Sequence, residues 1–372
     1  MVNFAFSDEQ EELRRTVRRF LDERSPEPEV RRLMATDEGF DRAVWEQLST
    51  QLSLPGLAVP EEYDGAGFGY VDLAVVFEEM GRSLFCAPYF ATVALAANAL
   101  LCADDEAARK ELLPGIARGE TIATLAVTEH DGAWRETSIA MAARAADGGW
   151  RLTGTKEFVL DGHVADLLLV IARTPTGVSM FAVDHAAAGL ERELVHALDE
   201  TRKLAKIQLT DTPARLIGGE GDAWPVVERV LDLASVALAL ESVGGAQRCL
   251  DAAVDYAKVR VQFGRPIGSF QAVKHRCADM LVELEGAKSA AYYAAWCAAE
   301  QNDELTVSAS LAKAYCTEVY AKVAADNIQV HGGIGFTWEH PAHLYLKRAK
   351  SSELLLGDPA THRDRLGAQL GI

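Results

Sequence analysis

Two segments in the last third of the chain combine a cation, amides, aromatic rings and glycines. They are RVQFGRPIGSFQ, residues 260–271, and QVHGGIGFTWEH, residues 329–340. An arginine such as Arg260 can bind a pyrophosphate through paired, charge-assisted hydrogen bonds, and Phe263 and Phe270 can pack against the rings of a nucleotide. Glycines let a ligand approach the backbone closely. The two segments therefore predict a site for an anionic dinucleotide outside a strand–loop–helix unit.

Each segment also has a purely structural interpretation. Arg260 ends a long helical pattern, and the helix dipole favours a cation at that end. A cluster of glycines usually marks the end of a helix. Because both segments occur together in one chain, the ligand site is favoured over these alternatives.

The elements that must position these segments follow from the apolar periodicity. Residues 1–120 show helical spacing, and Ser7 with Gln10 forms the pattern of an N-terminal capping box. Short apolar runs separated by Gly, Asp, Thr and Pro then predict an antiparallel β domain over residues 121–222. Long helical patterns with wide apolar stripes fill residues 223–372 and predict a four-helix bundle that also contacts other subunits. The predicted fold is thus α+β and multidomain, with helical, β and helical domains in that order.

Composition and local patterns argue against several classes of function. The formal charge of −18 argues against binding to nucleic acid or to an anionic membrane surface. The six cysteines are scattered, with no CxxC, so neither disulfides nor a zinc cluster is predicted. Pro341 separates His340 from His343, so no metal site is predicted there. The N-terminal segment lacks the pattern of a secretory signal, and no apolar run is long enough to cross a membrane, so a cytoplasmic location is expected.

The two segments and the order of the domains resemble the FAD-dependent acyl-CoA dehydrogenases over essentially the whole chain, including the actinobacterial paired type that handles steroid-derived thioesters. The resemblance implies FAD as the cofactor, an acyl-CoA substrate and an electron-transferring flavoprotein as a partner. It also implies a homotetramer, or a heterotetramer with a related subunit. In this family the adenosine half of FAD is bound largely across a subunit interface. The positions that match here are Arg260, Gln262, Phe263, Phe270, Gln271, Gln329, Gly332 and Gly333.

The resemblance places the flavin ring in the β domain, at Thr128 and Phe158. Thr128 belongs to a Thr-Glu pair that the family shares, and Phe158 matches an aromatic residue that lies against the flavin. The resemblance weakens nearby, because Trp134 stands where the family has a serine and Leu160 replaces a threonine. From the sequence alone, Phe158 is equally well interpreted as a core aromatic of a strand.

The residue that should remove the substrate's α-proton is missing. The family uses a carboxylate in a desolvated cleft, but Leu356 occupies its usual position and Ala234 occupies the alternative one. Glu241 and Asp358 are the remaining candidates for the base. Glu241 lies two helical turns beyond Ala234 and is otherwise a buried structural group. Asp358 is otherwise part of a turn or a helix cap.

The CoA side of the expected site also departs from the family. Asp232 matches a family aspartate and is the predicted substrate-binding residue, but Ser235 stands where an arginine is common. The predicted activity is FAD-dependent α,β-dehydrogenation of an acyl-CoA thioester. Two forms of the enzyme could have this activity. One is a homo-oligomer with a relocated base, and the other is a hetero-oligomer in which this chain lacks the base. Leu356, Ser235 and the altered loop at 130–135 favour the second form. A non-catalytic scaffold that binds flavin or a CoA ester is the alternative from another class.

Overall fold

The computed structural model describes residues 6–146 and 148–372. The first five residues, part of the N-terminal segment inspected for a secretory signal, lie outside this description. The chain divides into two compact units. One unit comprises Met1–Arg31, Tyr70–Phe85 and Ser235–Ile372. The other comprises Arg32–Gly69 and Cys86–Ala234.

Helices form most of the regions that the apolar periodicity assigns to them. The Ser7–Gln10 capping box is confirmed, since the Ser7 hydroxyl accepts from the Gln10 amide and the Gln10 side chain accepts from the Ser7 amide. The α-helices are α1 (Asp8–Arg24), α2 (Glu27–Met34), α3 (Arg42–Leu52), α4 (Tyr70–Ser83), α5 (Asn98–Cys102), α6 (Glu106–Ala117), α7 (Ala223–Val259), α8 (Gln271–Ala299), α9 (Leu305–His331), α10 (Ala342–Leu354) and α11 (Pro359–Leu370).

The middle of the chain is a mainly antiparallel sheet. Its strands are β1 (Ala123–Ala126), β2 (Ala142–Ala146), β3 (Gly149–Leu160), β4 (Leu167–Arg173), β5 (Val178–Asp184), β6 (Leu190–Val195) and β7 (Leu204–Ile217). The strand order is β1-β4-β2-β3-β7-β5, and a further β4–β5 pairing closes the path from β4 to β5 into a ring. Strand β6 pairs with β7. The pairings of β1 and of β2 with β4 are parallel, so the sheet is not antiparallel throughout.

Buried residues of alternating strands make the core of this sheet. Leu152, Val170, Phe181 and Ile207 are fully buried there. Strand β4, of sequence LLLVIAR, is buried along almost its whole length, which explains its continuous apolar run. The core includes residues of β1 and β3, and the predicted flavin contacts Thr128 and Phe158 lie just after β1 and within β3.

The C-terminal helices form a tightly packed bundle. Helix α9 packs against α8, α10 and α11. A Cβ atom on Gly244 of α7 would lie 1.8 Å from the Glu78 carbonyl oxygen of α4, and one on Gly245 would meet the Tyr320 ring. Only glycine permits these close approaches. The predicted sequence of helical, β and helical domains is thus confirmed, and the exact domain boundaries remain predictions.

Two features of the N-terminal half were not predicted. Residues Phe90–Ala97 form a fully buried π-helix, and α2 follows α1 after a short break at Ser25. Among the described residues, no helix combines the length and the hydropathy that a membrane crossing needs.

Candidate functional site

Thr128 lies just beyond β1 and is fixed to strand β3. Its hydroxyl donates to the Glu157 carbonyl oxygen at 2.5 Å. Its own carbonyl accepts from the Glu157 amide at 2.9 Å. The residue is only 5% exposed. The strand pair therefore sets the position of Thr128 tightly.

A buried ion pair lies beside Thr128. The Lys156 ammonium is fully buried and donates to the Val127 carbonyl at 2.9 Å and to the Glu129 carboxylate at 2.8 Å. Glu129 also accepts from the amides of Ala140 and Met141. Burial lowers the pKa of Lys156 to about 8, against the attraction of Glu129. The pair joins three segments of backbone around Thr128.

Phe158 lies in a β-bulge of β3. The register of β3 against β7 shifts between Lys156 and Val159, and Phe158 adopts a left-handed φ of 57°. A bulky residue rarely adopts this conformation, and such strain concentrates at functional sites. The side chain is 45% exposed, so Phe158 is not a core aromatic of the strand. The bulge turns its ring outward, where a planar ligand can pack against it.

The loop in which the resemblance weakens is closed by Asp131. Its carboxylate accepts from the Ala133 amide at 3.0 Å, from the Ser138 hydroxyl at 2.6 Å and from Arg135 at 3.4 Å. The Ser138 hydroxyl, followed by the Ala133 amide, lowers the pKa of Asp131. The loop therefore closes on an internal carboxylate, which uses the Ala133 amide and the Ser138 hydroxyl as donors.

The first of the two dinucleotide segments forms an exposed hairpin after α7. Its strands are β8 (Val261–Gln262) and β9 (Arg265–Pro266). Phe263 and Gly264 make the turn with φ values of 52° and 77°, the signs of a type I′ turn. Phe263 is 92% exposed. The predicted contacts Arg260, Gln262 and Gln271 are exposed as well, and Phe270 is partly buried.

The second segment lies beside the hairpin. The ring of Tyr256, at the end of α7, stacks on His331, at the end of α9, with centroids 4.4 Å apart. Gln329, Gly332 and Gly333 are exposed. The two segments are therefore neighbours on one surface.

Gly333 lies beside open space on this surface. A Cβ atom there would meet no described atom within 4 Å, and its φ is not in the left-handed range. The fold itself therefore does not require glycine at this position. The space beside it is open to a group from outside the chain.

The two candidate bases both have structural partners. Glu241, 6% exposed on α7, accepts from Arg348 of α10 at 2.5 Å. Asp358 caps α11 and accepts from the Thr361 amide at 2.8 Å. The structural alternatives for both residues are thus present in the fold. Asp232, the predicted substrate residue, is only 3% exposed on α7.

Leu356, at the position where the resemblance predicts the base, lies in a strained turn between α10 and α11. Leu356 is 1% exposed and has a left-handed φ of 64°. Its carbonyl accepts from His362 at 3.0 Å. Lys313 of α9, fully buried, donates to the carbonyls of Glu353 and Gly357. No side-chain group that accepts a proton stands at position 356.

Sequence reasoning missed Lys156, Lys313, Arg348 and His362. Each is a charged or titratable residue that the fold buries. Lys313 interrupts the apolar sequence SLAKAYC, and Lys156 has the strand parity of the buried Leu152. These two patterns could have identified Lys313 and Lys156, because a buried charge must be paired or functional.

Comparison with known proteins gives a consistent result. Family models for the N-terminal, middle and C-terminal domains of acyl-CoA dehydrogenase match residues 7–120, 124–211 and 221–371. Acyl-CoA dehydrogenase IpdE2 of Mycobacterium tuberculosis is 34% identical and the match covers 98% of both chains.

Solved structures agree. A variant of the steroid ACAD Tcur3481-Tcur3483 has a TM-score of 0.88 at 32% identity, covering 98% of both chains. The ChsE4-ChsE5 complex from Mycobacterium tuberculosis has a TM-score of 0.90 at 29% identity, covering 100% of this chain and 99% of that one. From its three matching domains and its similarity to these proteins over the whole length, the chain belongs to the acyl-CoA dehydrogenase family of oxidoreductases.

Proposed function

We propose that this chain is the base-lacking subunit of an FAD-dependent acyl-CoA dehydrogenase and works with a related subunit that carries the base. The observation that carries this proposal is Leu356, a buried hydrocarbon at the position of the family's base. Glu241 and Asp358 are already engaged, by Arg348 and by the start of α11. A self-sufficient enzyme would need one of these carboxylates to leave its partner.

The exposed surface of the C-terminal bundle fits the adenosine half of FAD. Arg260 offers a guanidinium for the pyrophosphate, Phe263 and Phe270 offer rings, and Gly333 leaves the backbone open. Arg260 and Phe263 are exposed, Phe270 is partly exposed, and Gly333 has open space beside it. This favours a flavin whose remaining contacts come from another subunit.

The β domain has some features of a flavin-ring site and lacks others. Phe158 is partly exposed and Thr128 is bound to the neighbouring Glu157, which supports a ring contact in this part of the β domain. The adjacent loop is closed on the carboxylate of Asp131, so the Ala133 amide and the Ser138 hydroxyl already have an acceptor and are not open to a phosphate. This favours seating the flavin mainly in the partner. When bound, FAD would accept the hydride that the substrate's β-carbon releases.

The proposed substrate is an acyl-CoA thioester with a bulky, steroid-derived acyl group. One similar structure is of a steroid ACAD, and another is a complex of two named subunits. These similarities support both the substrate class and the pairing. An electron-transferring flavoprotein as electron acceptor and a cytoplasmic location belong to the same proposal.

Purification with and without the related subunit tests the proposal. The chain alone should be colourless or poor in flavin, and straight-chain acyl-CoAs should not bleach it. The co-purified oligomer should be yellow and bleach on adding the thioester. A yellow chain that bleaches alone supports the homo-oligomer with a relocated base. A yellow oligomer that never bleaches supports the non-catalytic scaffold.

A further inference from the structure

Three side-chain rings form a column that connects the two predicted dinucleotide segments. Tyr256 lies at the end of α7, His331 at the end of α9, and His340 in the segment that leads into α10. The rings of Tyr256 and His331 stack with centroids 4.4 Å apart and an angle of 26° between their planes. The rings of His331 and His340 also have centroids 4.4 Å apart, at an angle of 49°. The ring column therefore joins three helices through two imidazoles.

The ring column supports the backbone of both segments. The Tyr256 carbonyl accepts from the Arg260 amide at 2.9 Å, so Tyr256 belongs to the last helical turn before the hairpin. His331 is 7% exposed, and its Nδ1 lies 2.9 Å from the Asn327 carbonyl oxygen. A Cβ atom on Gly335 would lie 2.8 Å from the Cβ of His331, so the turn that contains Gly335 packs directly on this histidine. A change in the column would therefore reach both segments.

His340 can bind the start of α10 only as a neutral imidazole. Its Nδ1 accepts from the amide of Ala342, the first residue of α10, at 3.2 Å. A ring nitrogen that accepts a hydrogen bond carries no proton, so the proton of the neutral ring is on Nε2. Protonation of Nδ1 would replace this bond by two donors that face each other. It would also place a positive charge at the N-terminus of α10, where the helix dipole disfavours it.

The charges around His340 differ in sign. His331 of α9, His343 of α10 and Arg31 of α2 disfavour its protonation, and Glu27 of α2 favours it. Burial has the largest effect, followed by His331, and the pKa of His340 is lowered below its ordinary 6.5. The ring is therefore neutral at pH 7.5 and gains a proton only below pH 6.5. It also lines a cavity of about 450 Å³, whose further charged residues are Arg18 and Asp22 of α1, Glu79 and Arg82 of α4, and Arg248 of α7.

We infer that His340 is a positioning residue for the dinucleotide surface, and that protonation of its imidazole weakens the binding of FAD there. The neutral ring holds the start of α10 and its place in the ring column, and both segments keep their positions. The charged ring loses the Ala342 amide and disturbs the stack with His331. This inference rests on the proposed function, because the surface is taken to bind the adenosine half of FAD. Flavin retention then depends on pH in mild acid.

Two substitutions separate the acceptor at position 340 from its charge. His340→Asn keeps a side-chain oxygen that can accept from the Ala342 amide, and it has no group that titrates. His340→Phe keeps a ring against His331 but has no acceptor. His185→Asn is the matched control, because His185 is an exposed histidine that follows strand β5. Comparing the variants at the same pH cancels the effects of all other titrating groups.

The first measurement is local and does not depend on flavin. Hydrogen exchange of the co-purified oligomer, followed by mass spectrometry, reports the protection of the first amides of α10. Wild type and His340→Asn should be equally protected at pH 7.5. At pH 5.0 the wild type should exchange about three- to tenfold faster than His340→Asn, because it has lost one hydrogen bond. His340→Phe should be less protected than His340→Asn at both pH values.

The second measurement is flavin retention by the same oligomer. Unbound flavin is removed by gel filtration at each pH, and the loss of FAD absorbance per protein is followed with time. At pH 5.0 the wild type should lose FAD about three- to tenfold faster than His340→Asn, and the two should agree at pH 7.5. His340→Phe should lose FAD faster already at pH 7.5. His185→Asn should follow the wild type at both pH values.

Equal hydrogen exchange of wild type and His340→Asn at pH 5.0 overturns the inference, whether or not flavin is bound. A difference in exchange with equal flavin retention also overturns it, since the ring column would then have no effect on the surface. If His340→Phe does not fold, His340→Asn decides the question. An oligomer that binds no flavin at either pH overturns the proposed function, and the inference falls with it.

Discussion

A substitution at Gly333 should affect flavin binding without affecting the stability of the fold. Gly333→Ala should change the free energy of unfolding by less than about 0.5 kcal/mol, because its Cβ would enter open space. The same substitution should lower the flavin content of the oligomer, since the added methyl group stands where FAD is proposed to approach. Denaturant unfolding and flavin absorbance of the purified oligomer measure the two effects.

Gly335→Ala is the matched contrast. A Cβ there would lie 2.8 Å from the Cβ of His331 and 3.0 Å from the Ile328 carbonyl oxygen. This variant should be destabilised, whether or not flavin is present. Equal loss of stability in both variants would contradict the assignment of Gly333 to a ligand.

His362 should make the protein sensitive to mild acid. Its pKa is lowered from 6.5 to about 4 in the folded state, mainly by burial. The unfolded chain therefore binds the proton first, and stability falls as the pH drops from 6.5 towards 4. Between pH 7 and 5 this amounts to about 2 kcal/mol. Denaturant unfolding at the two pH values should show a smaller drop for His362→Gln, and an unchanged drop would contradict the shift.

The sequence is informative about residues whose roles have a local pattern, and less so about buried charges. The segment around Arg260 predicts a nucleotide contact, which stays a prediction, and the structure leaves Arg260 and Phe263 exposed. Lys156 and Lys313 were missed because their partners come from distant segments. The Lys313 ammonium, for example, is bound by carbonyls forty or more positions along the chain.

At the scale of elements, the Glu129–Lys156 pair joins β3 to the segment after β1. Glu129→Ala would leave the buried Lys156 ammonium with only the Val127 carbonyl, and should cost about 3–5 kcal/mol. In Lys156→Met, Glu129 keeps its bonds to the amides of Ala140 and Met141. This substitution should therefore lower the free energy of unfolding by less than Glu129→Ala does.

The double variant tests this coupling. Its loss of stability in denaturant unfolding should be smaller than the sum of the single losses by more than about 1 kcal/mol. Additive losses would mean that the two groups act independently. Arg144→Met, which breaks the exposed pair with Asp211 on the same sheet, is a control with little expected effect.

The type of each long element could be predicted from the spacing of its apolar residues, because helices and strands repeat different apolar patterns. Helices α7, α8 and α9 and strands β1, β3, β4, β5 and β7 were predicted on that basis, whereas β2 and β6 were not. The π-helix at Phe90–Ala97 and the parallel pairing of β1 with β4 were not. Both depend on packing against residues far along the chain, which no local pattern encodes.

At the scale of the whole molecule, flavin retention should require assembly. The exposed apolar side chains around the hairpin, such as Val259, Val261 and Phe263, leave a surface that a neighbouring subunit is proposed to cover. Light scattering with flavin absorbance should find FAD only in oligomers. Arg260→Ala should assemble normally and lose flavin, because a charge-assisted bond contributes about 1.5–3 kcal/mol. A stable monomer loaded with flavin would contradict this.

The central claim is that this chain does not supply the base. The most direct measurement is the rate of flavin bleaching by an acyl-CoA in Glu241→Gln, assayed for the chain alone and with the related subunit. General-base assistance raises the reaction rate by about 10²–10⁴-fold, so its loss would be easily measured as a drop in the bleaching rate. We expect negligible bleaching by the chain alone and an unchanged rate for the variant in the hetero-oligomer. Rapid bleaching by the wild-type chain alone, abolished by Glu241→Gln in both assays, would make Glu241 the base and contradict the account.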